Sequence, residues 1–484
     1  MATRALSREQ IEQLDSIWKS PGFVATLVAV AAAFGSWSML LPVIPLAVID
    51  SGGSDALAGA TTGLFMAATV LTQIGTPAAL RKFGYNPVMV FAAIMLGVPT
   101  LGYLLGMDAV PVLLFSALRG IGFGAITVAE SALIAELVPV RFLGKGSGML
   151  GVFIGLSQMV FLPMGLAIGQ TTSFAVVYVI STAVALVAAL MCLRIPRLKA
   201  APKRAASHYE HPEEGQRPPV PTWRLVTVPA LAVTTLSMSF GAVSAFLPAA
   251  VRELDPVAGA VIGGVMLSIT GGAAMVFRYG SGVIADRRGM PGLTMLPGQL
   301  MGLLGVGLMA VTIMTGGSVW WLVLAAVLFG GGFGVVQNEA LLSMFFRLPR
   351  SRVSEASALW NISYDAGTGL GSFVLGAVAA RLAYEGAFGV GALIVVFGLA
   401  LTVADRLVGR HRIAERDNTR ARLRQVPVAR RAVRGVRRVA VRPVPLQRLL
   451  TRRPPTPGWK QRGTGDVADV DSEEPDSDMG RDVP

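Results

Sequence analysis

With one cysteine and three histidines in 484 residues, this chain is short of the side chains from which disulfide frameworks and most transition-metal sites are built. Cys192 has no second cysteine to pair with, and its place at the end of a long apolar run reads as an inert, packed thiol. His208, His211 and His411 all fall in polar stretches, so any group that exchanges protons inside an apolar run must be a carboxylate. Charge is scarce too, at 15% of residues. No nucleophile–base pair, phosphate loop or metal-ligand cluster stands out, so neither an enzyme nor a cofactor or metal is expected.

What fills the chain instead is apolar: 53% of residues are hydrophobic. Windows of about 20 apolar residues, each long enough to cross a bilayer core of about 30 Å, recur twelve times. The expected spans are 23–49, 57–79, 87–106, 111–137, 146–169, 174–193, 226–249, 258–284, 293–315, 319–345, 356–380 and 388–407. Two stretches repeat about 206 to 210 residues apart. Phe34-Gly35, Ser38 and Leu41-Pro42 return as Phe240-Gly241, Ser244 and Leu247-Pro248, and Gly120-Ile-Gly122-Phe-Gly124 returns as Gly330-Gly-Gly332-Phe-Gly334. Pro139 and Ser147 recur as Pro349 and Ser357. Each repeat holds several spans, which predicts an all-α membrane protein of twelve transmembrane helices in two pseudo-symmetric six-helix bundles, with a solute site between them.

Charge placement sets orientation. If the N-terminus is cytoplasmic, 38 of the 42 Lys and Arg fall in the termini and even-numbered loops, Arg252 and Arg381 lie outside, and Arg119 and Arg278 lie within spans. The expected segments are a cytoplasmic N-terminal stretch 1–22, bundles 23–193 and 226–407, a cytoplasmic linker 194–225 and a cytoplasmic, disordered tail 408–484. Met1 to Lys19 is polar, so no cleavable signal peptide is expected. Ser7 to Trp18, with a Ser7/Gln10 capping box and Ile11, Leu14 and Trp18 on one stripe, reads either as a short amphipathic helix on the membrane surface or as a solvated lead-in. From Arg406 to Arg462 the chain carries 18 basic and two acidic residues, and the last 22 residues hold eight acidic residues against one Arg. Residues 406–484, with 19 basic against 10 acidic, thus supply +9 of the net +13. The high pI describes this tail, for which anionic lipid is one partner and no dedicated partner the other reading. Nucleic acid is not expected, because no aromatic residue interleaves the arginines before Trp459.

Three local patterns resemble those of the major facilitator superfamily, over Phe23 to about Leu407. The hairpin between spans 8 and 9, Gly282-Val-Ile-Ala-Asp286-Arg287-Arg288-Gly289, is similar to the family's cytoplasmic gating motif. In it, glycines permit a tight turn and Asp286 is placed to face a helix N-terminus of the opposite half. The matching hairpin of the first half has Arg81 where the acid would fall, so one latch is expected to be missing. Span 4 carries Leu118-Arg119-Gly120-Ile-Gly122-Phe-Gly124-Ala125, similar to a motif that places an Arg in the bundle interior. Span 11, Asn361-Ile-Ser-Tyr364-Asp365-Ala-Gly367-Thr368-Gly369, resembles a drug-efflux-like branch. Span 5 departs from the family's drug antiporters, with Leu162-Pro163 in place of Gly-Pro.

Ionisable groups inside spans cost about 2.5 to 3.5 kcal/mol on insertion scales, so each needs a reason. Asp365 leads the proton-coupling candidates because Asn361, Tyr364, Asp365, Thr368 and Ser372 form one polar stripe. The other reading is a permanent network within the second half, with Arg278 or Glu339. Arg119 and Glu130, eleven residues apart, share a helix face but lie about 16 Å apart along it. The family resemblance implies a coupling role for Arg119, while attraction of a substrate anion is the alternative. Glu130 and Glu339 are further coupling candidates. Trp37, Gln158, Gln337, Asn338, Asn361 and Tyr364 are candidate cavity residues, with Met39, Phe240, Phe246 and Trp360 as adaptable lining. The resemblance thus implies a proton-coupled secondary transporter of a small amphipathic organic molecule, working as a monomer in the plasma membrane, with export as the expected direction. An importer or uniporter of a polar metabolite stays open, as does a transporter-fold sensor or scaffold acting through its tail.

Overall fold

The computed structural model describes residues 5–200 and 222–408. Most of the linker and the whole tail from residue 409, with all three histidines and the proposed lipid contact, lie outside the described residues. A short helix α1 (Arg8–Glu12) is followed by α2 (Phe23–Leu40), α3 (Val43–Asp50), α4 (Asp55–Phe83), α5 (Tyr85–Gly97), α6 (Ala109–Leu137), α7 (Leu143–Thr171) and α8 (Phe174–Cys192). After the linker come α9 (Thr222–Leu254), α10 (Pro256–Arg288), α11 (Met295–Met314), α12 (Val319–Arg347) and α13 (Val353–Val408). Ten segments among the described residues are long and apolar enough to cross a membrane. One of them, Arg350–Leu407, doubles back at Leu382 and Ala383, which leave the helical region, Ala383 at φ +53°. Counting both arms of α13, and α10 with its 33 residues, gives the twelve spans expected from the sequence.

Two spans are not the single α-helices their hydropathy suggests. The first breaks at Leu41-Pro42, where Pro42 becomes the N-cap of α3, whereas the repeat partner Pro248 stays inside α9. Proline removes one backbone donor and crowds the preceding turn, and the local packing decides whether the helix breaks or continues. The third span tightens into a 3₁₀ turn over Val98–Leu105, with Pro99 near its start. α1 keeps the expected capping box but stops at Glu12, and Ile11 and Ile17 are buried while Trp18 is exposed.

Helix association in lipid rests on close packing of small residues, since lipid tails remove most of the hydrophobic driving force. The repeated glycines do this work at matching places. A Cβ on Gly120 or Gly124 of α6 would run into the Phe65 or Thr69 carbonyl oxygen of α4. A Cβ on Gly330 or Gly334 of α12 would meet the Thr270 or Ala274 carbonyl oxygen of α10 in the same way. Gly122 and Gly332 pack likewise on the α5 and α11 backbones, at Leu96 and Gly302. The repeated phenylalanines also meet their counterparts: Phe34 lies 5.2 Å from Phe123, and Phe240 lies 4.7 Å from Phe333. The two sequence repeats are therefore two copies of one packing scheme.

Candidate functional site

Arg81, Lys82, Lys145, Arg287, Arg288, Arg347, Arg350 and Arg352 gather at one end of the helices, called here the basic end. At this end the two sets of helices are joined. Asp286, near the C-terminus of α10, accepts from the backbone N–H groups of Gly144 and Lys145, both at 2.7 Å, in the first turn of α7. A carboxylate there meets two unsatisfied donors and the positive end of a helix dipole. Gly282 and Gly144 let the helices approach, since a Cβ on either would clash with the other's carbonyl oxygen. Arg287, Arg288 and Gly289 are exposed, and Gly289 turns the chain at φ +68°. The pseudo-equivalent place in the first half is not vacant. Arg81 at the end of α4 pairs with Glu355 in the first turn of α13 at 3.3 Å. The two halves thus differ at this end, with a carboxylate on a helix N-terminus in one and an Arg81–Glu355 ion pair at the pseudo-equivalent place in the other.

Deeper in, a polar layer crosses between the halves. Asp365 on α13 is half-buried and accepts from Gln73 Nε2 on α4 at 2.5 Å, and Gln73 also donates to Thr127 Oγ1 at 3.3 Å. Asn361 Nδ2 donates to the Thr127 carbonyl oxygen at 3.2 Å, and Ser131 and Ser357 hydroxyls meet at 2.5 Å. Glu130 is 3% exposed, has one oxygen without a hydrogen-bond partner, and has Arg278 and Asp365 as charged neighbours. Arg278 donates to Gln337 Oε1 at 3.0 Å and lies over the Trp360 ring. Its stem crosses Gly151 of α7, where any side chain would block it. Tyr364 stacks between Phe333 and Trp360 at 5.7 and 5.6 Å.

The remaining candidates sit elsewhere. Glu339 is engaged by the segment leading into α11, accepting from Gly292 N–H and from Thr294 Oγ1 at 2.6 Å, and does not join the layer. Asn338 is buried beside Gly282, with neither amide atom hydrogen-bonded. Gln158 is half-buried on α7. Arg119 lies on the far side of α6 from the basic end, where its Nη1 donates to Tyr103 Oη at 3.4 Å, and it lines a narrow cleft with Trp37. Among the described residues no carboxylate pairs with it, so the nearby acid that the coupling reading requires is not in place here. Gln73 and Glu355 are the two members that sequence reasoning missed. The signals that could have found them are slight, a lone amide in an apolar run for Gln73 and an acid in the first turn of a helix for Glu355.

A second clamp at the basic end comes from the N-terminal segment. Arg8 donates to the Glu136 and Val138 carbonyl oxygens at 3.1 and 3.2 Å, and Glu12 accepts from Val140 N–H at 3.0 Å. Arg350, preceding α13, reaches Glu12 at 3.5 Å and the Ala135 carbonyl oxygen at 3.2 Å. Residues 8–12 therefore touch both halves.

The family model of the Major Facilitator Superfamily matches residues 26–347. An uncharacterized MFS-type transporter of Mycobacterium tuberculosis is 27% identical over 137 residues, which is 28% of this chain and 20% of that protein. The MFS transporter asaE of Aspergillus flavus is 26% identical over 160 residues, 33% of this chain and 36% of that protein. The matched region thus spans about a fifth to a third of the length of these curated relatives. Among solved structures, the human organic anion transporter MFSD10 (TETRAN) aligns with a TM-score of 0.62 at 16% identity, covering 78% of this chain and 98% of that one. The proton:xylose symporter XylE bound to 6-bromo-6-deoxy-D-glucose aligns at 0.61 and 14% identity, covering 79% and 94%. At such identities these two share the fold alone. From its paired six-helix repeats and the match over residues 26–347, the chain belongs to the Major Facilitator Superfamily of membrane transporters.

Proposed function

We propose that the chain is a proton-coupled secondary transporter that moves a small amphipathic organic molecule by alternating access, with export as its direction. In this reading 23–193 and 226–407 are the moving halves, 194–225 is the tether, and the basic end with both termini faces the cytoplasm across the plasma membrane. One chain carries both halves, so the transport unit is a monomer. The tail beyond 408 is left to contact anionic lipid.

The observation that carries the reading is the bond from Gln73 to Asp365 across the seam between the halves, with Glu130 and Arg278 in the same buried layer. When the seam parts, Asp365 loses Gln73, and both carboxylates exchange a protein environment for water. A carboxylate whose surroundings change with the state of the carrier ties protonation to that state. Asp286 on the α7 N-terminus and Arg81 on Glu355 hold the basic end shut in the state described here. Aromatic clusters on each half, Trp37 on Phe123 and Phe240-Phe333-Tyr364, offer apolar surface to a solute, with Gln337, Asn338 and Asn361 as polar contacts. Glu339 is assigned to holding α11 rather than to coupling.

The test is flux of candidate solutes into liposomes under an imposed pH gradient. Parent protein is expected to respond to the gradient, while Asp365→Asn exchanges solute without gradient-driven accumulation. Gradient-driven flux at the parent's rate in both Asp365→Asn and Glu130→Gln would overturn the coupling assignment.

A further inference from the structure

Arg119 is the charge that the closed seam does not use. Its residue is 4% exposed, Nε has no hydrogen-bond partner, and the one donation seen among the described residues is the 3.4 Å contact to Tyr103 Oη. Phe65 and Tyr103 cover the guanidinium with their rings at 5.5 and 5.8 Å. Three other arginines within helices have a polar side-chain partner, although the Nε of Arg278 also lacks one. Arg278 has Gln337, Arg347 has the Asp405 carboxylate at 2.8 Å, and Arg81 has Glu355. A guanidinium has five N–H donors in a rigid fork that matches a carboxylate or phosphate, and leaving such donors unpaired away from water is costly.

The side chain also forms part of the wall of a narrow cleft between α2, α3, α4 and α6. Ser116 and Thr61 lie beside it, and Trp37, Phe65 and Leu40 supply apolar walls. Both hydroxyls already bond to protein, Thr61 to the Ala58 carbonyl oxygen at 2.7 Å and Ser116 to Tyr103 Oη at 2.9 Å. The free donors therefore belong to Arg119, and among the described residues no acid lines the cleft. Trp37 stacks on Phe123 at 4.8 Å and lines the cleft beside Arg119. The cleft suits the head of a solute rather than its whole body.

Resting on the transporter reading, we propose that this cleft is an anion subsite: the transported solute carries a carboxylate, sulfonate or phosphate that seats on Arg119, with its aromatic or alkyl body against Trp37. Charge-assisted, bidentate contacts favour an oxyanion there, an amide forfeits part of that bonding, and an ammonium is repelled.

Binding at zero gradient tests the subsite apart from coupling. Purified protein in lipid nanodiscs is titrated calorimetrically with 2-naphthoate, 2-naphthamide and 2-naphthylmethylammonium. Naphthoate is expected to bind about tenfold or more tighter than the amide, a difference that one charge-assisted contact supplies. Arg119→Gln erases the preference, and Arg119→Lys retains part of it at an unchanged unfolding temperature. Equal affinities in the parent, no naphthoate binding, or a preference that survives in Arg119→Gln would each overturn the subsite. Repeating the titration in anionic-lipid discs separates a solute from a lipid head group, since a sharp loss of naphthoate affinity there would make lipid the occupant and sink the solute assignment. Gradient-driven flux without anion preference removes this subsite and leaves the transporter reading standing, and the converse result does the opposite.

Discussion

Replacing Asp286 by Asn tests the proposal that this carboxylate helps to hold the basic end shut. The carboxylate accepts two backbone N–H bonds at 2.7 Å from the first turn of α7. Bonds to an ionised acceptor contribute about 1.5 to 3 kcal/mol, and a charge on a partly buried helix N-terminus up to about 2 kcal/mol, while a neutral amide retains a bond of about 1 kcal/mol. The net loss is about 1 to 2 kcal/mol, which shifts the closed-to-open ratio by about five- to thirtyfold. Arg81 and Glu355 are 18% and 22% exposed, so their pair adds about 1 kcal/mol. Arg81→Glu turns that attraction into repulsion, and the exchange Arg81→Glu with Glu355→Arg restores it. Spin labels at Phe83 and Met290, exposed positions on opposite halves at the basic end, read the separation by double electron–electron resonance in a Cys192→Ser background. Asp286→Asn and Arg81→Glu are each expected to add a longer-distance population, and the charge exchange to reverse the second. A distance distribution identical to the parent's in both single variants would refute the latch reasoning.

The seam also predicts that Gly282→Ala favours the open basic end, because its Cβ would meet the Gly144 carbonyl oxygen, and faster alkylation of a cysteine placed at Thr127 would report it. Gly124→Ala and Gly334→Ala push a methyl into backbone within one half, so each is expected to lower the unfolding midpoint, at a cost of about 1 to 3 kcal/mol, by thermal melting in detergent. Burial raises the proton affinity of Glu12, but the Val140 N–H bond and Arg8 outweigh it and hold the carboxyl below its ordinary value of 4.5. A depressed value means that docking of residues 8–12 is fully stabilised above the ordinary range and weakens as pH falls through the lowered one. Hydrogen exchange across residues 5–20 should therefore be protected at neutral pH and quicken only on acidification below 4.5, and Glu12→Gln should lose that pH step.

Where a physical rule acts locally, the chain could be read directly. The recurrence of Phe34 as Phe240 and of Gly120, Gly122 and Gly124 as Gly330, Gly332 and Gly334 marked two equivalent helix contacts, because only glycine tolerates such backbone approach. The place of Asp286 after a Gly-spaced helix end pointed at a facing N-terminus for the same reason. Long-range pairing was not legible. Glu355 lies 274 residues from Arg81, and Gln73 lies 292 from Asp365, and neither carries a local signal of its partner. Glu339 was a coupling candidate on its place in an apolar run, yet its carboxylate accepts from Gly292 and Thr294. Helix breaks depended on packing as well, since Leu41-Pro42 interrupts a span that Leu247-Pro248 does not.

The central claim, that the seam at the basic end opens and closes during each cycle, is met most directly by locking it. Ser131 and Ser357 touch across it at 2.5 Å, and Cys192 is the one native thiol to remove. In Ser131→Cys/Ser357→Cys/Cys192→Ser, oxidation to the disulfide is predicted to abolish solute flux in liposomes, and reductant to restore it. Flux at the parent rate through fully cross-linked protein would contradict the account.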